Sequence, residues 1–158
     1  MTRTKIKICG LQRPEDILFV NEARPDFAGF IIDVPKSRRN VSPEKVRELT
    51  ASLSPEILPV GVFVNAPMET ILSLVKDGTL KAVQLHGQES QSYLTELKNQ
   101  VSVPVIRAFS IHSAADLEKP RKVPQTSSFW TTEPVVQEQP LTGHFLPLLT
   151  DLFFWQEA

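Results

Sequence analysis

Lys5-Ile6-Lys7-Ile8-Cys9-Gly10 reads as a short first strand that carries the only cysteine of the protein to its C-terminal tip. Gly10 turns the chain away, and Leu11-Gln12-Arg13 lead to Pro14 at the start of a helix. A thiol at the end of a parallel strand, with little side-chain bulk beside it, can face a ligand. It can equally be a small buried hydrophobe, the commoner fate of a lone cysteine. Position alone leaves both readings open.

Outward from this strand, apolar runs alternate with amphipathic helical stretches for about two thirds of the chain. Pro14-Glu15-Asp16 open a helix with Ile17, Leu18, Val20 and Ala23 on its apolar side. Proline suits a first turn, and early carboxylates suit the positive end of the helix dipole. The second strand, Phe27 to Ile32, is a continuous apolar run of the kind buried on both faces. A polar loop from Asp33 to Val41 carries Lys36, Arg38 and Arg39. Ser42-Pro43-Glu44 is an N-cap, a first-turn proline and an early carboxylate, followed by Val46, Leu49 and Leu53 at helical spacing. The third strand runs from Leu58 to Val64. Pro67 and Glu69 begin the next helix, which Gly78 closes. Ala82 to Leu85 is the fourth strand, with His86-Gly87 at its tip, and Ser90 starts the helix of Tyr93, Leu94 and Leu97. Val103 to Phe109 is the fifth strand, and Ser113 caps a helix from Ala114 towards Glu118.

Five strand–helix units with crossovers long enough for parallel pairing predict an α/β protein. The two candidate architectures are an open doubly wound sheet and a (β/α)8 barrel. No G-x-G-x-x-G follows the first strand, and no P-loop motif is present. Polar residues instead follow successive strand tips: Cys9, Asp33 to Arg39, Asn65, then Gln84 with His86. One ring of strand ends supplying one site is the barrel pattern.

The bulk properties are compatible with that. A chain of 158 residues can form one domain with a usable core, and 41% hydrophobic with 22% charged residues is ordinary for a soluble protein. A net charge of -1 gives no general attraction to nucleic acid or anionic membrane. One cysteine allows no intramolecular disulfide and suits a reducing compartment. Met1-Thr2-Arg3-Thr4 run straight into the first strand without an apolar signal region, and no apolar run approaches the ~20 residues of a membrane span. A cytoplasmic globular protein is expected. No second cysteine or histidine stands at ligand spacing, so no metal site is expected.

Lys7-Ile8-Cys9-Gly10, Gly29-Phe30 with the loop Pro35 to Glu44, Val60 to Asn65, and Val83 to Gly87 stand in an order that resembles phosphoribosylanthranilate isomerase. That family is a (β/α)8 barrel of tryptophan biosynthesis, and the resemblance covers Lys5 to about Leu117. KICG and QLHG together in one chain are specific, although each alone is weak. The resemblance implies an Amadori rearrangement of N-(5-phosphoribosyl)anthranilate to 1-(2-carboxyphenylamino)-1-deoxyribulose 5-phosphate, without metal or organic cofactor. The partner is then a small phosphosugar. It makes Cys9 the catalytic base, acting as a thiolate that its surroundings must favour. Lys7 is not an obvious helper, since it alternates with Ile6 and Ile8 and can point elsewhere. Arg39 would hold the anthranilate carboxylate, a task suited to a guanidinium fork. The bland alternative for Arg38 and Arg39 is an exposed basic loop. Gln84 and His86 resemble the family's substrate-binding residues on the fourth strand, while a histidine at a strand tip can equally satisfy nearby backbone groups.

The resemblance stops near residue 118. The family pattern next requires a sixth strand ending in LLD, whose Asp is the general acid. A GGTG-type loop, FDW and glycine-rich phosphate loops should follow. Residues 119–158 spell none of these and are rich in Pro, Gln and Thr. Permissible codons for Gln125 onward, read two bases out, spell DFILLDNG, and then AGGTGTAFDWSL from Pro134 to His144. The expected organisation is therefore five βα units in residues 1–118 and an aberrant, out-of-frame tail in 119–158. Phe129-Trp130 then stand at the sixth-strand position, where no acid remains. Five parallel strands without closure would leave open edges at strands one and five, and an aggregation-prone product. Two functions are expected to compete: an isomerase by descent that is itself inactive, and a non-catalytic half-barrel remnant that pairs with a complementary half. A ribulose-phosphate epimerase would want metal-ligand histidines and aspartates at strand tips, and Cys9 with the QLHG tip argues against it.

Overall fold

The computed structural model describes residues 5–110, together with the strand backbones of Ser127–Thr131 and Phe153–Trp155. The elements in order are β1 (Lys5–Cys9), α1 (Pro14–Ala23), β2 (Phe27–Ile32), β3 (Asn40–Val41), α2 (Pro43–Thr50) and β4 (Leu58–Phe63). They continue with α3 (Met68–Lys76), β5 (Ala82–Leu85), α4 (Gln91–Gln100), β6 (Val105–Ser110), β7 (Ser127–Thr131) and β8 (Phe153–Trp155). The anticipated strands one to five are thus β1, β2, β4, β5 and β6. The helix expected from Ala114 lies outside the described residues.

Local chemistry explains the helix starts. Ser42 Oγ accepts from the Lys45 N–H at 3.2 Å, and Ser90 Oγ accepts from the Tyr93 N–H at 3.1 Å. Each hydroxyl satisfies a first-turn donor that the helix cannot satisfy itself. At α1 the cap is built backwards. Arg13 makes no side-chain cap, and Asp16 accepts from the N–H groups of Gln12 and Arg13 at 2.9 and 3.0 Å.

The strands form one sheet in the order β7-β6-β5-β4-β2-β1-β8, with β3 beside β2. All pairings are parallel except β1 with β8. Five parallel strands in chain order, joined by four helices, are the first four βα units and the fifth strand of a (β/α)8-barrel fold. β3 was not anticipated from the polar loop. It forms because Asn40 Oδ1 accepts from the Val34 N–H at 2.6 Å and folds the loop back onto β2.

The open edges expected at strands one and five are not found. β7 pairs in parallel with β6, setting Phe129 opposite Ala108. β8 pairs antiparallel with β1, setting Trp155 opposite Lys5. Unpaired edge N–H and C=O groups accept any extended segment, and Phe153-Phe154-Trp155 is a run with high strand propensity.

Two cores follow from the strand alternation. The larger lies between the outer face of the sheet and the helices, and includes Ala28, Phe30, Ile32, Phe63, Val83 and Leu85. The smaller, on the inner face, joins Val60, Ala82 and Ile106 with Phe27 packed against them. Each fully buried Leu, Ile or Phe contributes roughly 1.5–3 kcal/mol. Among the described residues no helix is long and apolar enough to cross a membrane.

Candidate active site

The inner face of β1 carries Lys7 and Cys9, which are two residues apart and therefore project to the same side. Their neighbours across the ladder on β2 are Phe27 and Gly29. Gly29 is there because nothing larger fits. A β-carbon on it would lie 2.7 Å from Cys9 Sγ and 3.0 Å from Lys7 Cε. The thiol and the lysine stem occupy the space that a side chain on β2 would need. Cys9 is a free, half-buried thiol at the C-terminal end of β1.

Lys7 is the site residue that sequence reasoning missed. It is only 2% exposed, and its Nζ donates to Oε1 of Gln84, itself 1% exposed. Lys7 does not point away from Cys9. Period-two alternation puts the two on one face, a signal present in the sequence but outweighed by the habit of assigning lysine to the surface. Gln84 reaches the same face from β5, two strands further along the sheet than β2.

Arg39 comes over the end of β1. Gly10 has φ +89°, a left-handed conformation that favours glycine, and the Arg39 side chain packs where a Gly10 β-carbon would stand. Arg39 is half-buried and Arg38 is exposed, so the basic pair divides. The loops are tied together: Gln12 Nε2 donates to the Arg38 carbonyl at 2.8 Å, and the Arg39 N–H donates to Ser37 Oγ at 3.2 Å. The N–H groups of Gly10 and Leu11 both donate to the Gly29 carbonyl, at 3.0 and 3.2 Å.

His86 follows β5 at the same end of the sheet and is half-buried. Its N–H donates to the Phe63 carbonyl at 2.8 Å. Its loop is held by a second group that the sequence did not reveal, Glu89, which is 5% exposed. The Glu89 carboxylate accepts from the Asn65 N–H at 2.8 Å and the Gly87 N–H at 3.1 Å. Asn65 Oδ1 accepts from the Gln88 N–H at 2.8 Å, and Arg107 donates to the Glu89 carbonyl at 2.8 Å. Tyr93 closes this corner by donating to the Ala66 carbonyl at 2.9 Å, and burial together with Glu89, Glu69 and Glu96 raises its pKa.

The structure therefore brings Cys9, Lys7 and Gln84 onto one face and lays Arg39 across the adjoining glycine. It sets His86 just past the end of β5, two residues on from Gln84. A thiol, an ammonium, a carboxamide and a guanidinium at one end of a parallel sheet suit an anionic, hydroxylated ligand and proton transfer at carbon.

Comparison with known proteins gives the same direction. A family model described as N-(5'phosphoribosyl)anthranilate (PRA) isomerase matches residues 6–129, ending within β7. The N-(5'-phosphoribosyl)anthranilate isomerase of Thermoanaerobacter sp. (strain X514) is 40% identical over 128 residues, 81% of this chain and 61% of that protein. The one from Acetivibrio thermocellus is 50% identical over 95 residues, 60% of this chain and 43% of that protein. The crystal structure of phosphoribosyl anthranilate isomerase from Thermotoga maritima superposes with a TM-score of 0.76 at 33% identity, covering 87% of this chain and 66% of that one. A structure of such an isomerase in complex with reduced 1-(o-carboxyphenylamino)-1-deoxyribulose 5-phosphate gives 0.73 at 34% identity, covering 81% and 64%. The chain spans less than two thirds of the length of these relatives.

Proposed function

The chain belongs to the N-(5'-phosphoribosyl)anthranilate isomerase family, and on that premise we propose that it carries the base-bearing half of that enzyme's site. The observation that supports this best is the placement of Cys9, with Arg39 folded across Gly10 beside it. The ligand is N-(5-phosphoribosyl)anthranilate or its ketose product, as in the solved complex with the reduced product.

In the proposed reaction the sugar ring oxygen takes a proton as the nitrogen lone pair expels it from C1, leaving a protonated imine. The Cys9 thiolate removes the C2 proton, and the electron pair moves to give an enolamine. Protonation at C1 with loss of the C2 hydroxyl proton then leaves a ketone at C2, so the net change is an isomerisation. Arg39 holds the anthranilate carboxylate through its planar fork, which orients the sugar against the thiol. Gln84 and His86 contact the sugar from β5 and its tip. No cofactor is needed, because all steps are proton transfers.

The acid is the missing member. A donor to the ring oxygen is expected from the strand after β6, and β7 there reads Ser127-Ser128-Phe129-Trp130-Thr131, without a carboxylate. Losing a positioned general acid costs about 10²–10⁴ in rate. The chain is accordingly proposed to be inactive in isomerisation, with residues 1–118 the family portion and 119–158 an out-of-frame tail. A cytoplasmic location goes with this reading. β7 and β8 occupy the edges at which a complementary half-barrel would have to pair, so the isomerase-by-descent reading is preferred to an assembly of halves.

Growth of a tryptophan auxotroph lacking this isomerase tests the proposal. The chain as it stands should not support growth, whereas the same gene with the alternative frame restored from Gln125 should. Growth on the unaltered chain would refute inactivity, and failure of the restored gene would refute the frame reading.

A further inference from the structure

Lys7 has no part in the reaction sequence above, yet it is among the most deeply buried charged side chains described. We infer that Lys7 is a positioning residue that makes Gln84 a one-way hydrogen-bond donor to an acceptor oxygen on the sugar of the bound ligand. An ammonium has three donors and no acceptor, so it can engage only the carbonyl end of a carboxamide. The contact of Lys7 Nζ with Gln84 Oε1 therefore fixes which end of Gln84 is used inward. The NH2 end remains for a ligand.

Two further facts support this. Among the described residues the Gln84 side chain makes no other hydrogen bond. Among the described residues no side-chain nitrogen or oxygen sealed from solvent lacks a partner, so the Gln84 NH2, which has no protein acceptor, is not sealed off. The β1 side of this face is bounded by Cys9, whose sulfur and the Lys7 stem both lie within 3.0 Å of one point above Gly29. An unconstrained glutamine can present either end of its amide and would accept a hydroxyl proton as readily as donate one. Pinned by Lys7, it selects for an oxygen lone pair. On the isomerase reading, on which this inference rests, Cys9 works at C2 of the sugar, so the selected acceptor is an oxygen of the sugar chain rather than the anthranilate carboxylate.

The test uses the full chain, labelled with 15N, and reads the side-chain NH2 signals of Gln84 by NMR. Without ligand, Lys7→Met should move those signals and release the carboxamide, while Lys7→Arg, still a donor, should keep them near wild type. Gln84 signals that are the same in Lys7→Met as in the wild type would overturn the inference. In the second arm the probe is reduced 1-(o-carboxyphenylamino)-1-deoxyribulose 5-phosphate. Wild-type Gln84 NH2 signals should shift on saturation. Lys7→Met and Gln84→Glu should bind about tenfold more weakly, with Lys7→Arg close to wild type. Gln84→Glu keeps an acceptor for Lys7 but has no NH2, so it carries the comparison if Lys7→Met does not fold. Unchanged affinity in Gln84→Glu refutes the donor role. If the ligand-free arm holds but the wild-type chain takes up no probe, the isomerase reading fails, and the sugar-oxygen assignment falls with it.

Discussion

Replacing Gly29 by alanine tests the geometry of the site in a way that separates packing from backbone strain. Gly29 is not among the residues with positive φ, so alanine meets no conformational penalty there. What it meets is matter. Its β-carbon would lie 2.7 Å from Cys9 Sγ, 3.0 Å from Lys7 Cε and 3.2 Å from Cys9 Cα, where carbon contacts normally settle at roughly 3.5–4.0 Å. The Cys9 Cα is strand backbone and cannot yield without breaking the pairing with β2. The Lys7 stem is pinned at its far end by Gln84. Overpacking of this kind costs about 1–3 kcal/mol. Against that, alanine restricts the unfolded chain and returns about 0.4–1 kcal/mol. The net loss is on the order of 1–2 kcal/mol. With a urea slope of roughly 1–3 kcal/mol per molar, the midpoint should fall by about 0.5–1 M. The Cys9 thiol should also change its reaction rate with a neutral maleimide, because its sulfur is the nearest atom displaced. A Gly29→Ala chain as stable as wild type, with an unaltered thiol, would show that the two side chains do not fill that space.

Two other substitutions address the scaffold. Asp16 is buried, which alone would raise its pKa, but hydrogen bonds from the Gln12 and Arg13 N–H groups and the Arg13 side chain outweigh this and hold it below the usual carboxylate value. A depressed carboxylate contributes stability that is present above its unfolded value of about 3.9 and is lost as pH falls through the folded one. Asp16→Asn should cost about 1–2 kcal/mol at pH 7 and flatten the acid limb of stability below about pH 4; urea midpoints across that range that parallel the wild type would count against it. Glu89→Ala should orphan the Asn65 and Gly87 N–H groups, destabilise by about 1–3 kcal/mol and speed hydrogen exchange at those two amides. Undiminished protection there would mean that the loop carrying His86 is held by other contacts.

How far the molecule could be read from its residues depends on the range of each interaction. β2 and β5 begin and end where the expected strands do, and Ser42 and Ser90 cap α2 and α4 as their positions require, because these signals act within a turn or a strand. The tip positions of Cys9 and His86 followed from the same local reading. Lys7 did not, since a lysine beside apolar Ile6 and Ile8 reads as the solvent-facing residue of the strand, whereas here Lys7 is buried and Ile6 is exposed. Glu89 was missed because it acts on backbone N–H groups of two separate segments, which no side-chain pattern encodes. The pairing of β7 with β6 and of β8 with β1 was missed for a related reason. Strand edges accept partners by availability, so β8, which lies beyond the residues matched by the family model, still pairs with β1, while β7 takes the edge of β6.

The central claim is that the base-bearing half of an isomerase site is present without the acid that would complete it. The most direct measurement is turnover of N-(5-phosphoribosyl)anthranilate by the purified full chain, followed by the fluorescence change of the anthranilate group and compared with Cys9→Ser and with buffer. The account predicts one rate for all three. Turnover above buffer that disappears in Cys9→Ser would contradict it, by showing that this chain supplies its own acid.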